Sequence, residues 1–164
     1  LRNANFIYIS TDKAVNPFCI MGASKLFGEV ATRNAGFIAV RFGNVMDSRG
    51  SVLPIWRKQL LKGLPLTVTD PQMERFMMTI EEAVELVIKA AETGRKGDLL
   101  VLDMGKPIKI IDIAKKILEE SRTKVGIKLI GIRPGEKLTE RLMDEDEEKR
   151  AIKKDRFWVV PKNV

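Results

Sequence analysis

Phe6-Ile7-Tyr8-Ile9-Ser10, then Met21-Gly22-Ala23-Ser24-Lys25-Leu26, then Phe37-Ile38-Ala39-Val40-Arg41-Phe42 set the architecture near the start of the chain. The first run is short, apolar and bounded by turn chemistry, which predicts a buried strand. Thr11 to Ile20, carrying Asp12, Asn16 and Pro17, reads as a loop. From Met21 to about Asn34 the composition favours a helix, through Ala23, Lys25, Leu26, Glu29, Val30 and Ala31, and Gly36 is placed to stop it. Phe37 to Phe42 predicts a second strand. Strand, loop, helix and strand make a βαβ unit, which implies a parallel sheet with a right-handed crossover.

Beyond Gly43-Asn44 a polar loop runs to Gly50, and a helix is expected over Val52 to Lys62, ended by Gly63 and Pro65. Leu66 to Thr69 predicts a short strand stopped by Asp70-Pro71. Thr79 is a good N-cap, and Glu82 three residues on completes a capping box for a helix running to about Thr93. Leu99 to Leu102 reads as a strand. Ile110, Ile113, Ala114, Ile117 and Leu118 mark one face of an amphipathic helix. A strand over Ile127 to Ile132, a helix from about Lys137 and a last strand at Phe157 to Val160 complete the expectation. The alternation is α/β throughout.

The 164 residues suffice for one domain with a real core, and no apolar run approaches the roughly 20 residues of a membrane helix. Cys19 is alone, so no disulfide framework exists, and the absence of His excludes a His-based triad and the commoner zinc sites. No signal peptide is evident, and a cytoplasmic location is the default expectation. The net charge of +7 admits nucleic acid, an anionic membrane surface or phosphorylated substrates, or simply a solvated Lys-rich surface. The densest charge run, Asp144 to Arg156, holds both signs, which argues against a nucleic-acid arm and for a solvated helix. Asp144 to Glu148 are therefore assigned to solvent.

Chemistry concentrates in Ser10-Thr11-Asp12-Lys13-Ala14-Val15-Asn16-Pro17 and Met21-Gly22-Ala23-Ser24-Lys25. A hydroxyl, a carboxylate and an amine meet where a parallel strand enters its loop, and ligands of open α/β sheets bind at such carboxyl ends. Met21 and Lys25 are four apart, so on a helix they share a face and overhang that loop. Taken alone, Thr-Asp-Lys in a turn reads only as an N-cap with a salt bridge. A dinucleotide site of the Rossmann type begins with a Gly-rich turn at a helix N-terminus, and no Gly-x-Gly-x-x-Gly occurs in the sequence.

These segments resemble the active-site signature of the extended short-chain dehydrogenase/reductases of polysaccharide biosynthesis, and among them the UDP-N-acetylglucosamine 4,6-dehydratases. The similarity continues through Val40-Arg41-Phe42-Gly43-Asn44-Val45, Ser48-Arg49-Gly50-Ser51-Val52-Leu53-Pro54, Pro65-Leu66-Thr67-Val68-Thr69-Asp70-Pro71, Arg75-Phe76-Met77-Met78-Thr79, Val101-Leu102-Asp103-Met104-Gly105 and Ile132-Arg133-Pro134-Gly135-Glu136-Lys137. The resemblance implies the C-terminal half of a Rossmann-type parallel sheet plus a small α/β substrate-binding lobe, with the N-terminal Gly-rich dinucleotide-binding half absent. Residues 1–50 would be the remainder of the Rossmann-type domain, with its active-site loop and helix. Residues 51–164 would be the UDP-sugar-binding region, interleaved with it.

In that family the sugar's C4 hydroxyl is oxidised by hydride transfer to a nicotinamide, the C5 proton and C6 hydroxyl are lost, and the hydride returns at C6. By resemblance Thr11 bonds the C4 oxygen, Asp12 is the general acid at C6 and Lys13 the base at C5. A lysine base acts in its neutral form, which burial or a like charge favours, and Lys25 would supply that charge while holding the nicotinamide ribose. Lys25, Met21 and Phe42 are the expected contacts to NAD or NADP. Asn44, Arg75, Arg133 and Glu136 are the expected contacts to UDP-sugar, the arginines because guanidinium suits phosphate geometry. Thr67 to Thr69 would line the uracil pocket. Most relatives in the wider superfamily place Tyr where Met21 stands, so the resemblance points to the Met-bearing subgroup of the dehydratase branch or to a dead enzyme.

The functional classes left open are an active dehydratase, with a separate N-terminal-half subunit or cut from a longer chain, an inactive remnant that binds UDP-sugar, and a basic interaction module. A sugar-nucleotide 4-epimerase is the related alternative; Asp12-Lys13 speaks for dehydration, since epimerisation needs neither an acid at C6 nor a base at C5. An edge strand without its partner implies a homo-oligomer or pairing with the missing half.

Overall fold

The computed structural model describes residues 6–121 and 123–162. Strand β1 (Ile7–Thr11) enters a single 3-10 turn at Asp12–Ala14, and helix α1 (Ile20–Asn34) follows. The Thr11 hydroxyl caps the turn by accepting from the Lys13 N–H at 3.4 Å. The chain reverses after α1 through Gly36 at φ +80°, a left-handed conformation that costs glycine nothing. Strand β2 (Ile38–Phe42) then runs parallel to β1 in a register from Ile7↔Ile38 to Thr11↔Phe42. Every residue of β2 is buried, as expected of a strand covered on both faces.

Next come β3 (Asn44–Val45), α2 (Val52–Leu61), β4 (Leu66–Val68), β5 (Glu74–Arg75) and β6 (Met77–Met78). Helix α3 (Ile80–Thr93) begins at the expected capping box: Thr79 Oγ1 accepts from the Glu82 N–H at 3.1 Å, and Glu82 Oε2 from the Thr79 N–H at 2.8 Å. Then follow β7 (Leu99–Leu102), β8 (Ile108–Lys109), α4 (Ile110–Ser121), β9 (Ile127–Leu129), α5 (Glu145–Arg150), β10 (Ile152–Lys154) and β11 (Phe157–Val160).

The main sheet has the order β1-β2-β7-β11-β10. Its first three strands are parallel, as the βαβ reading requires, and β11 and β10 extend it as an antiparallel hairpin. Apolar residues of β2, β7 and α3, among them Val40, Phe42, Leu86, Ala90, Leu100 and Leu102, form the core on one face. Ala39, Leu99, Val101 and Val160 fill the other. A second core around Trp56, Leu66, Val68, Met73, Ile110 and Ala114 joins α2, α4 and β4 into a smaller α/β lobe, in which β4 pairs with β9 in parallel. Trp56 is fully buried and spends its indole N–H on the Thr67 carbonyl at 2.8 Å, so its large apolar area enters the core with the polar atom satisfied.

Between α1, β2 and α5 lies a buried charge cluster that the sequence reading did not anticipate. Arg41 of β2 donates to Glu29 of α1 (Nε to Oε1, 2.9 Å) and to Glu147 of α5 (Nη1 to Oε2, 2.6 Å). Burial works against the guanidinium charge, but the hydrogen bonds and charges of Glu29 and Glu147 outweigh it and hold Arg41 protonated beyond the ordinary arginine range. The assignment of Asp144 to Glu148 to solvent is thus corrected at Glu147, which is buried, while Glu145 and Asp146 remain exposed. The reason is local: Asp144 caps α5, accepting from the Glu147 N–H at 2.8 Å, and this turn aims Glu147 inward at Arg41.

Two expected elements also differ. No helix starts at Lys137. Arg75 instead claims the carbonyls of Lys137 and Leu138, at 2.9 and 3.0 Å, and the Glu74 N–H takes Leu138 O at 2.9 Å, which commits these carbonyls to β5 instead of to helix hydrogen bonds. The strand expected to reach Ile132 ends at Leu129, and Gly131 turns the chain at φ +83°.

Candidate active site

Because Thr11↔Phe42 ends the parallel ladder, Asp12 and Gly43 leave the sheet side by side at its carboxyl edge. Close approach there requires glycine: a Cβ on Gly43 would lie 2.7 Å from Phe76 Cβ and 3.2 Å from Asp12 Oδ2. Gly22 does the same for α1, where a Cβ would overlap the Lys13 carbonyl, so the helix packs directly on the turn.

The three residues after the strand form one hydrogen-bonded unit. Asp12 is fully buried, and its Oδ1 accepts from the Thr11 hydroxyl and from the Lys13 ammonium, both at 2.9 Å. Asp12 Oδ2 is buried with no hydrogen-bond partner among the described residues. The Lys13 ammonium also donates to Asn44 Oδ1 at 3.2 Å. One proton moved along the bond from Nζ to Oδ1 converts this ion pair into a neutral amine beside a neutral acid, with the total charge unchanged. That is the state an acid–base pair needs, and the partner of Lys13 in it is Asp12.

Lys25 reaches back from α1 to β1, donating to the Ile9 carbonyl at 3.0 Å with its ammonium 5.1 Å above the centre of the Tyr8 ring. Met21 is exposed at the start of α1. The Phe42 side chain lies in the core with Met78 and Leu102, so its ring does not reach the surface.

A cleft of about 230 Å³ opens beside this unit, and Asn44, Thr67, Thr69, Arg75, Arg133 and Glu136 all line it. Asn44 belongs to both features and connects the cleft to Lys13. The cleft thus brings together the four residues expected to hold the substrate and the threonines expected at the base pocket. Arg133 is exposed, and its backbone N–H donates to Glu136 Oε2 at 3.2 Å. Arg75 is buried, and its Nη atoms are spent on the carbonyls of Glu74, Lys137 and Leu138, so it braces the cleft wall.

Sequence reasoning missed the segment after Glu136. The Lys137 ammonium donates to the carbonyls of Val15 and Asn16, at 2.9 and 2.7 Å, tying this segment to the loop that carries Asp12 and Lys13. Glu140 is buried, and its Oε2 has no hydrogen-bond partner among the described residues. Burial raises its carboxyl above the ordinary glutamate range, Asp12 adds to the rise, and Lys13, Arg75 and Lys137 oppose it. Nothing in the local pattern Gly135-Glu136-Lys137-Leu138 marks these roles, which arise from tertiary placement.

A mixed sheet whose first three strands run parallel, with an acid, an amine and a cleft at its carboxyl edge, matches the Rossmann-type architecture of the short-chain dehydrogenase/reductases. The family model described as "Polysaccharide biosynthesis protein" matches residues 2–162, and the chain belongs to that family. It is 50% identical over 151 residues to the probable polysaccharide biosynthesis protein EpsC of Bacillus subtilis, covering 87% of this chain and 25% of that protein. It is 48% identical over 154 residues to the capsular polysaccharide biosynthesis protein CapD of Staphylococcus aureus, covering 88% of this chain and 26% of CapD. The UDP-glucose 4-epimerase of Rickettsia akari is 38% identical over 168 residues, covering 96% and 49%. Among solved structures, Pen from Bacillus thuringiensis superposes with a TM-score of 0.90 at 36% identity, covering 95% of this chain and 52% of Pen. The dTDP-glucose 4,6-dehydratase DesIV of Streptomyces venezuelae, solved with NAD bound, shares the fold with a TM-score of 0.72 at 17% identity, covering 87% and 52%. The chain therefore spans from a quarter to about half of the length of these proteins. No helix among the described residues is long and apolar enough to cross a membrane.

Proposed function

We propose that this chain supplies the acid–base residues and the UDP-sugar cleft of a nucleotide-sugar 4,6-dehydratase that acts on UDP-N-acetylglucosamine, or a similar UDP-sugar, in surface polysaccharide biosynthesis. One observation carries the reading: Asp12 and Lys13 form a hydrogen-bonded pair whose lysine also touches Asn44, and Asn44 lines the cleft that holds Arg133 and Glu136. On this reading residues 1–50 are the catalytic remainder of a Rossmann-type domain. Residues 51–164 bind the UDP-sugar and return three strands, β7, β11 and β10, to the same sheet.

The residue roles in this reading are those the resemblance implies. Arg133 faces the cleft as an exposed guanidinium suited to a diphosphate, and Glu136 beside it is an acceptor for ribose hydroxyls. The Thr11 hydroxyl, which donates to Asp12 Oδ1 at 2.9 Å without a ligand, would bond the sugar's C4 oxygen. With the shared proton on Asp12, the acid can protonate the leaving C6 hydroxyl while the Lys13 amine removes the proton at C5. NAD or NADP, when bound, supplies reversible oxidation at C4. Lys25 and Met21, four apart on α1, are the residues this chain offers to its nicotinamide end. They fit such a group because Lys25 is anchored at the carboxyl half of β1 and Met21 is exposed above the same loop.

The UDP-glucose 4-epimerase relative favours a second reading, in which the sugar is oxidised at C4 and returned without elimination. The two separate in one assay. This chain, alone and joined to a dinucleotide-binding half, is mixed with UDP-N-acetylglucosamine and NAD or NADP. A 4-keto-6-deoxy product supports the dehydratase, and a C4 epimer with its C6 hydroxyl intact overturns it.

A further inference from the structure

We propose that the open edge of β1 is the docking surface for a strand of the dinucleotide-binding half, and that Lys25 caps this edge until that strand takes its place. The inference rests on the reading of this chain as the catalytic and substrate-binding part of a sugar-nucleotide enzyme. It adds a partner surface and a second role for Lys25.

Among the described residues β1 ends the main sheet, so it is paired on one side only, by β2. The Phe6 carbonyl accepts from the Ile38 N–H at 3.4 Å. Peptide groups alternate sides along a strand with a period of two, so the Tyr8 and Ser10 carbonyls also face β2. The N–H and carbonyl groups of Ile7 and Ile9 therefore face the open side, where an unpaired edge is a template for another strand. One acceptor there is already taken: Lys25 Nζ donates to the Ile9 carbonyl at 3.0 Å. This lysine thus occupies the oxygen that an incoming backbone N–H would use.

The surroundings of the edge say what kind of unit fits it. Helix α1 lies on the Tyr8 face of β1, where a Cβ on Gly28 would overlap the Tyr8 hydroxyl. Helix α3 supplies the core on the Ile7 face. Ile9, on that second face, is 48% exposed, and Phe27 and Val30 of α1 and Val84 and Ile88 of α3 are exposed as well. A unit that adds a strand to β1 and a helix on each face suits an edge built as helix, sheet and helix. Pen superposes on 95% of this chain while only 52% of Pen is matched, so that protein has nearly as much chain again outside the match. A partner of that size is large enough to be such a unit.

Docking then exchanges one donor for another. A backbone N–H of the incoming strand takes the Ile9 carbonyl, which stays satisfied as it becomes buried. The displaced ammonium, 5.1 Å from the centre of the Tyr8 ring, becomes available to the nicotinamide end of the cofactor. Pairing of the two halves and release of Lys25 are thereby one event.

The test is hydrogen exchange and NMR on this chain alone and joined to the part of Pen that lies outside the match. The Ile7 and Ile9 amides are expected to exchange fast in the chain alone and to slow by at least about tenfold in the joined protein. The Ile9 carbonyl ¹³C signal is expected to shift on Lys25→Met in the chain alone and to ignore that substitution in the joined protein. Ile7 and Ile9 amides that stay fast in the joined protein overturn the proposal without any variant having to fold. So does an Ile9 carbonyl that ignores Lys25→Met in the chain alone, or one that still responds to it in the joined protein. If the amides are protected and Lys25 is released but no 4-keto sugar is made, the dehydratase reading fails and the edge inference stands. If 4-keto sugar is made while Lys25 still holds Ile9, the edge inference fails and the dehydratase reading stands.

Discussion

Arg41 Nη1 and Glu147 Oε2 lie 2.6 Å apart inside the protein, although 106 residues separate them in the chain. With Glu29 the pair forms a buried triad that pins α1 and α5 to strand β2. Removing the arginine leaves two buried carboxylates uncompensated. Arg41→Ala is expected to cost about 3–5 kcal/mol, the range for breaking a buried pair. Urea denaturation measures it; a loss below about 1 kcal/mol, typical of an exposed pair, would show that the triad is not holding these elements.

The small lobe depends on Trp56, which fills its core and bonds Thr67 O. Trp56→Ala is expected to destabilise by about 3–5 kcal/mol. The main-sheet amides should keep their hydrogen-exchange protection if the two cores are separable. A uniform loss of protection would mean that the lobes unfold as one.

Acid should weaken the start of α3. The Thr79 N–H, and after it Arg156, depress the Glu82 carboxyl below its ordinary range. A depressed carboxyl contributes stability above its unfolded value of about 4.3, and the contribution is lost as pH falls through the folded value. Glu82→Gln should therefore be less stable than the parent at neutral pH, and the two denaturation midpoints should converge in acid. A constant gap across that range would contradict the capping role.

In the cleft, Arg133 is the guanidinium free to meet a diphosphate, whereas Arg75 is committed to carbonyls. Arg133→Ala is expected to weaken UDP binding by about 10- to 100-fold, the worth of a hydrogen bond to a charged group. Arg75→Ala should lower stability as well, because it releases the segment around Leu138. Titration calorimetry with UDP, paired with a melting curve, separates the two effects.

Much of this was legible in sequence where local rules decide. The run from Ile7 to Phe42 gave β1, α1 and β2, and Thr79 with Glu82 gave the capping box, because short-range patterning and cap chemistry determine those elements. Asn44, Arg133 and Glu136 were found as cleft residues through motif resemblance. Arg41 was read as part of a motif and not as a buried ion, since the carboxylates that neutralise it lie on α1 and α5. Asp144 and Glu147 do carry the spacing of a capping box, a signal that could have started α5 correctly. The Lys137 segment read as helix because the carbonyls a helix would use are taken by Arg75 and Glu74, remote in the chain. Glu140 had no local signature.

The claim on which the account turns is that the Lys13 amine takes the C5 proton of a sugar seated beside Asn44. The direct measurement is deuterium incorporation at C5 when the dinucleotide-bearing assembly acts on UDP-N-acetylglucosamine in heavy water, comparing the parent with Lys13→Ala. Label is expected at C5 in the parent, with a drop of about 10²- to 10⁴-fold in the variant, the contribution of a positioned base. Equal labelling in both would contradict it.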